Sequence, residues 1–216
     1  MRYLVLLSSL ASLRASTAIA LGLAVCLLPS SAVAHSPVPG IAGFYTGVLH
    51  PLSTPGQVLS LLSLGLMLGF RWPQWFGWAA LAFGGACLLG ICLGQLGFVP
   101  NWSELVLLVL AALAAALAAL YPSGYFVTFL VFSSVCGFLI GVLSTPDPGP
   151  LNDTIITLAG SFVGANIALI YASGGIGWLQ ERFTQQWMHV GLRVVAAWIA
   201  AISVLAALLA LATGQS

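Results

Sequence analysis

Residues Gly43–Gln57 read GFYTGVLHPLSTPGQ. One apolar segment, Ile41–Leu49, runs into this stretch and a second, Val58–Phe70, runs out of it. Between them stand a histidine, His50, a proline break and a cluster of small hydroxyl side chains. Proline fixes its own φ and removes a backbone donor, so an apolar run carrying Pro51 and Pro55 predicts an elbow rather than a straight rod. The outgoing segment, Gly56–Phe70, is short for a membrane crossing. It spans only if the elbow or Ile41–Leu49 adds depth, as a half-helix packed within the protein. Irregular backbone at membrane depth is tolerated only where protein or water satisfies it. The elbow therefore predicts a cavity beside it, and it is the first place to look for a solute.

The surroundings justify reading the stretch against a bilayer. The chain has 216 residues, of which 61% are apolar and 4% charged. So few charges cannot cover the surface of a soluble domain of this length, and the composition is that of an integral membrane protein. The formal net charge is +1, with no lysine. That leaves no electrostatic footprint for nucleic acid or for acidic soluble partners. Cys26, Cys87, Cys92 and Cys136 all lie inside apolar runs and form no CxxC pair, which reads as packing. No Ser–His–Asp set, carboxylate pair or phosphate loop appears, and an enzyme is not expected.

Met1–Ala34 has the pattern of a secretory signal peptide. Arg2 and Arg14 supply positive charge, Ala15–Leu28 is an apolar core, Pro29-Ser30-Ser31 breaks it, and Ala32-Val33-Ala34 is a cleavage site of the A-x-A kind. The charged region is longer than usual, so an uncleaved anchor helix is the competing reading. With cleavage, the mature transmembrane domain is residues 35–216 and begins at His35, outside the membrane.

A spanning helix needs about 20 mostly apolar residues. Beyond the elbow the sequence predicts segments near Gly56–Phe70, Phe76–Leu96, Trp102–Leu120, Gly124–Leu143, Thr154–Ile176 and Met188–Ala212. The expected fold is an all-α bundle of about six spans after the signal peptide. Arg71 and the loop carrying Glu181 and Arg182 fall on the cytoplasmic side, with Arg193 early in the last span. The loop Ser144–Asp153, STPDPGPLND, carries acid and no base, and falls outside. This matches the positive-inside rule and implies a plasma (bacterial inner) membrane. Trp72, Trp75, Trp78, Trp102, Trp178 and Trp187 sit at segment ends, as interfacial anchors do.

Five glycine pairs have GxxxG spacing: Gly43/Gly47, Gly65/Gly69, Gly90/Gly94, Gly137/Gly141 and Gly160/Gly164. Small residues let helices approach closely, so the spacing predicts tight packing but no function. There is also an internal echo. Gly47-Val48-Leu49 leads to Ser53-Thr54-Pro55, and Gly141-Val142-Leu143 leads to Ser144-Thr145-Pro146. Duplicated halves would produce such an echo, and for motifs this short so would chance.

At the elbow the chain resembles the HupE/UreJ family, membrane proteins regarded as nickel or cobalt permeases associated with hydrogenase and urease maturation. Gly47-Val48-Leu49-His50-Pro51-Leu52 is like the family's G-x-x-HP-x motif. Pro100 and Glu104 fit its P-x-x-x-E opening of a middle helix. The A-x-A followed by His35, the six spans and Arg193 also fit. The resemblance covers nearly the whole mature chain. It implies a nickel or cobalt ion as substrate, and it places His50 in the metal motif, with His35 as a second candidate ligand through its imidazole and free amine. The chain departs from the family in two places. After HP the family has G-x-D-H, where this sequence has Ser53-Thr54-Pro55-Gly56-Gln57. In a later helix it has HG-x-x-HG, where this sequence has Cys136-Gly137 and Ile140-Gly141. Nickel and cobalt sites want several imidazoles with carboxylate support, so these losses bear directly on cargo.

Intramembrane polar side chains are costly and mark candidate sites. Ser53, Gln57, Glu104, Ser133, Cys136, Asn166 and Tyr171 would line a narrow polar path. The plainer reading gives each a neighbouring helix to hydrogen-bond, and gives Glu104 a favourable first-turn position at a helix N-terminus. His189 reads as an interfacial side chain. A solute permease is the leading function. A non-transporting accessory subunit of a membrane complex is the alternative, and the expected partners are the bilayer and either a second copy or a larger membrane complex.

Overall fold

The computed structural model describes residues 41–146 and 149–213, and these are helical with short connections. Seven helices follow one another: α1 (Ile41–Ser53), α2 (Pro55–Gly69), α3 (Phe76–Gln95), α4 (Ser103–Leu120), α5 (Phe126–Leu143), α6 (Leu151–Arg182) and α7 (Gln186–Ala212). Helices α3 to α7 are each long and apolar enough to cross a membrane. Helices α1 and α2 qualify together, as one span bent by 72°. The all-α multi-pass bundle read from the sequence is therefore what the chain forms. The expected signal peptide, Met1–Ala34, and His35 lie outside the described residues.

The bend falls at Thr54, one turn beyond where the sequence suggested. Helix α1 runs through His50 and Pro51 to Ser53. Pro51 leaves only the Gly47 carbonyl without its helical donor, one lost bond near the helix end, and Ser53 Oγ and Thr54 Oγ1 close the last turn by donating to the His50 carbonyl at 2.9 and 3.3 Å. The helix breaks before Pro55, where Thr54 takes extended backbone (φ −93°, ψ 117°), the conformation a following proline favours.

Helix α2 is the hub. It packs against α1, α4, α6 and α7 and touches α3 and α5. From Gly56 to Gly69 only Val58, Leu59 and Leu62 escape full burial. Leu61, Leu64, Leu66, Met67 and Leu68 anchor a core that takes in Phe83, Leu107, Phe129, Ile140 and Leu169. A helix apolar all round belongs inside a bundle. Helix α7 lies at the rim, antiparallel to α4, with only Leu192, Ala196, Ser203 and Ala207 buried.

Helix α6 is longer than the sequence suggested. Asn152 and Asp153 form its first turn, and Glu181 and Arg182, expected in a loop, form its last. Near that end Gln180 Nε2 donates to the Gly69 carbonyl at 2.9 Å, closing the C-terminus of α2. Arg71 donates to the Ser123 carbonyl and Arg193 to the Ala119 carbonyl. Both arginines thus serve the C-terminal end of α4 and the turn after it, where helix carbonyls lack internal partners and the dipole is negative. Arg71 also stands 5.3 Å from the ring centroid of Trp75. Arg71, Arg182 and Arg193 share one end of the bundle, and Glu104 and Asp153 the other, in the partition expected from the loops.

Of the six tryptophans expected at interfaces, Trp78, Trp102, Trp178 and Trp187 face outward. Trp72 and Trp75 turn inward. Trp72 covers Gly174 and Gly177 of α6, and Trp75 packs on Phe129 with ring centroids 5.2 Å apart.

Candidate functional site

His50 is half-buried one turn before the bend, and its Nε2 donates to the Leu143 carbonyl at 3.2 Å. Leu143 ends α5, so its carbonyl has no helical partner. The imidazole therefore ties the end of α1 to the end of α5, with Nδ1 as its remaining nitrogen. Ser53 is exposed and turned back on His50.

Around the start of α2 the polar residues converge. The Cγ and Oε1 of Glu104 lie 3.6 and 3.7 Å from where a Cβ on Gly56 would stand. Gln57 is next along the chain, 1% exposed, with Oε1 buried and unpartnered. Ser103 opens α4 with a fully buried Oγ that also lacks a partner. One turn on, Ser60 Oγ donates to the Leu107 carbonyl at 3.1 Å. The first turn of α2 thus packs on the start of α4, with Gly56 against Glu104 and Ser60 bonded to Leu107, and Ser103 is buried at that same start. Buried polar atoms without partners cost roughly 1–3 kcal/mol each, and two of them stand in the first turns of this helix pair. Gln57 and Glu104 stand out in the sequence as polar residues in apolar company, and Ser103 does not, since its unpartnered hydroxyl is a property of the packed chain.

The remaining candidates are dispersed. Ser133 and Cys136 are buried in α5, and Ser133 Oγ is unpartnered. Asn166 Nδ2 donates to the Phe162 carbonyl at 2.8 Å, and its Oδ1 faces Gly84 of α3. Ser161, in the Gly160/Gly164 stretch, is a further buried serine with a free Oγ. Tyr171 is 76% exposed on the outside of the bundle. It rims a groove of about 490 Å³ in the crook of the elbow, walled by Val48, Leu52, Leu61, Gly164 and Ile167. The cavity beside the bend is therefore apolar and open, while the polar atoms gather on the other side of α2. His189 is exposed at the start of α7.

Among the described residues, no three of His, Cys, Asp and Glu come together in a group able to hold a metal ion. No curated protein and no solved structure matches the chain. The family model described as HupE / UreJ protein matches residues 23–209, most of the chain, and the protein belongs to the HupE/UreJ family.

Proposed function

We propose that this HupE/UreJ family member is a permease, carrying a small solute past the start of α2 in a plasma (bacterial inner) membrane, with its mature N-terminus outside. The reading rests on the unpartnered, fully buried Gln57 Oε1 and Ser103 Oγ beside Glu104. A bundle built only for anchorage gains nothing from leaving such groups unpaired, whereas a passing solute supplies their hydrogen bonds in transit. Nickel or cobalt is the cargo the family suggests. Here the proposed ligands are His50 and His35, and His50 brings one free nitrogen. Two imidazoles give weak, poorly selective binding, because affinity follows ligand number and geometry. The chemistry is transport rather than catalysis.

Two measurements test this. Calorimetric titration of the mature protein with nickel and with cobalt should show weak binding that His35→Ala and His50→Ala each abolish. Uptake of either ion into proteoliposomes should fall at least tenfold in Gln57→Leu, which removes the amide at nearly constant volume. Tight binding surviving both histidine substitutions refutes the ligand assignment. No uptake, together with stoichiometric co-purification in a larger membrane complex, refutes the permease and establishes the accessory-subunit reading.

A further inference from the structure

Four of the five GxxxG pairs form two helix crossings, and the crossings are the same. In the first, α5 lies on α3. A Cβ on Gly141 would strike the Cys87 carbonyl and the Ile91 nitrogen, one on Gly90 the Phe138 carbonyl and the Val142 nitrogen, and one on Gly94 the Thr145 hydroxyl and, at 3.1 Å, the Val142 carbonyl. In the second, α1 lies on α6. There Gly47 meets the Thr157 carbonyl and the Ser161 nitrogen, Gly160 meets the Phe44 carbonyl and the Val48 nitrogen, and Gly164 meets the Val48 carbonyl. From Phe138, Gly141 and Val142 to Phe44, Gly47 and Val48 is the same step along the chain each time. From Cys87, Gly90, Ile91 and Gly94 to Thr157, Gly160, Ser161 and Gly164 is another constant step. Gly137 against the Phe83 carbonyl is matched by Gly43 against the Asp153 carbonyl, more loosely at 3.7 Å.

Sequence follows geometry. Gly43–Leu49 reads GFYTGVL and Gly137–Leu143 reads GFLIGVL. After each, a Ser-Thr-Pro stop folds its hydroxyls onto the last carbonyls: Ser53 and Thr54 onto His50, Ser144 onto Ile140, Thr145 onto Val142. Small residues alone recur by chance in membrane helices. A register in which the same glycine positions meet the same backbone positions in two crossings, with five of seven residues shared along one helix of each, does not.

The two pairs run in opposite directions. Gly84 of α3 faces Asn166 and Phe162 of α6, while Cys87 and Ile91 cluster with Leu158 further back along α6. So α3 and α6 are antiparallel, whereas each crossing is parallel within itself. The order α1, α3 is therefore repeated upside down as α5, α6, with α4 and α7 following in turn and packed on each other, and with α2 between α1 and α3 but no counterpart between α5 and α6. The copies are interlocked, since the first helix of each copy lies on the second helix of the other.

We infer that the chain is an inverted repeat, and that its working motion is a rocking of the α1/α6 pair against the α3/α5 pair about the His50–Leu143 contact. Inverted copies in slightly different shapes exchange those shapes to open the opposite side, which is how many transporters alternate access. Each pair is held backbone to backbone and moves as one body. Directly between them lie the small Cys87, Ile91, Leu158 cluster with Phe162, the contact of Asn166 on Gly84, and one imidazole hydrogen bond, while α2 packs against helices of both pairs. This mechanism rests on the permease reading, but the repeat does not.

Pulsed electron–electron spin resonance on the full chain in nanodiscs tests it. Spin labels replace exposed side chains in a Cys-free background. Tyr45/Ile170 and Leu89/Val127 report within the pairs, and Tyr45/Val127 and Leu89/Ile170 report between them. The within-pair distributions should be single and narrow. The between-pair distributions should be two-peaked, with the peak populations shifted at least twofold by His50→Ala. Between-pair distributions as narrow as the within-pair ones, in both backgrounds, overturn the rocking motion even if nickel and cobalt uptake is found. Two-peaked between-pair distributions without uptake support the motion and count against the permease alone.

Discussion

Substituting Gly141 by alanine would place a methyl group against the backbone of α3, at the Cys87 carbonyl and within 2.9 Å of the Ile91 nitrogen. Neither is the end of a flexible side chain, so the helices must separate or shear. Overpacking of this kind costs about 1–3 kcal/mol, and a backbone obstacle puts the expected cost near the top of that range. Alanine returns up to about 1 kcal/mol of helix propensity over glycine, which obscures the loss if Gly141→Ala is measured alone. Gly85→Ala supplies the correction. Gly85 sits mid-helix in α3, exposed, with nothing within 4 Å of its added Cβ, so it gains the propensity without the clash. The difference between the two variants is then the crossing itself, about 2–3 kcal/mol. Reversible unfolding in mixed micelles of rising dodecyl sulfate fraction, followed by tryptophan fluorescence, measures both. Gly47→Ala occupies the equivalent place on α1 and should differ from Gly85→Ala by the same amount, to within about 1 kcal/mol. A Gly141–Gly85 difference below about 0.5 kcal/mol would mean that the helices are not in backbone contact. A large difference for Gly141 and none for Gly47 would refute the equivalence of the crossings.

Arg193→Ala leaves the Ala119 carbonyl without its donor and should cost about 1.5–3 kcal/mol, the range for a hydrogen bond to a charged group; a loss under about 0.5 kcal/mol in the same titration would dismiss the contact. In a Cys-free variant, cysteines at Gln74 and Asn152 should react with impermeant maleimide from opposite sides of sealed vesicles, and reaction from one side would overturn the arginine-based orientation. Intact-mass measurement on protein from its native membrane should lack Met1–Ala34, whereas a mass that includes them would make this segment an additional membrane anchor.

Much of this architecture is written in the chain in readable form. The spans are legible because bilayer thickness sets a length and because Pro, Gly, Arg and Trp punctuate the apolar runs. The ends of α6 were not legible. Asn152, Asp153, Glu181 and Arg182 are polar, and hydropathy cannot distinguish a loop from a helix that projects past the apolar layer. Pro51 misled in the other direction. It is a helix breaker by composition, yet near a helix end it forfeits only the bond to the Gly47 carbonyl, and the helix runs on to Ser53, where the hydroxyls of Ser53 and Thr54 serve the His50 carbonyl. At the candidate site Gln57 and Glu104 were visible as polar residues in apolar company. Ser103 was not, because what distinguishes it is the absence of a partner, a property of the packed state.

The glycines show the same boundary most clearly. Five GxxxG pairs announce close helix contacts but carry no address, since any small surface fits any other. Only the packed bundle reveals that Gly43/Gly47 belongs with Gly160/Gly164 and Gly90/Gly94 with Gly137/Gly141. Once paired, the short GVL echo becomes part of a longer match, because the partner helices repeat as well. The place where the copies then differ most is informative. Between GVL and Ser-Thr-Pro, α1 carries His50-Pro51-Leu52 and α5 carries nothing. Those three residues supply the imidazole that binds α5, the proline within α1, and the spacing that sets the bend into α2. A symmetric pair of crossings has no reason to favour one side of the membrane, and this short insertion is what breaks the symmetry. It also brings α2, with Gln57 in its first turn, into the bundle centre beside Glu104. In this chain His50 and Pro51 therefore act through the path of the backbone.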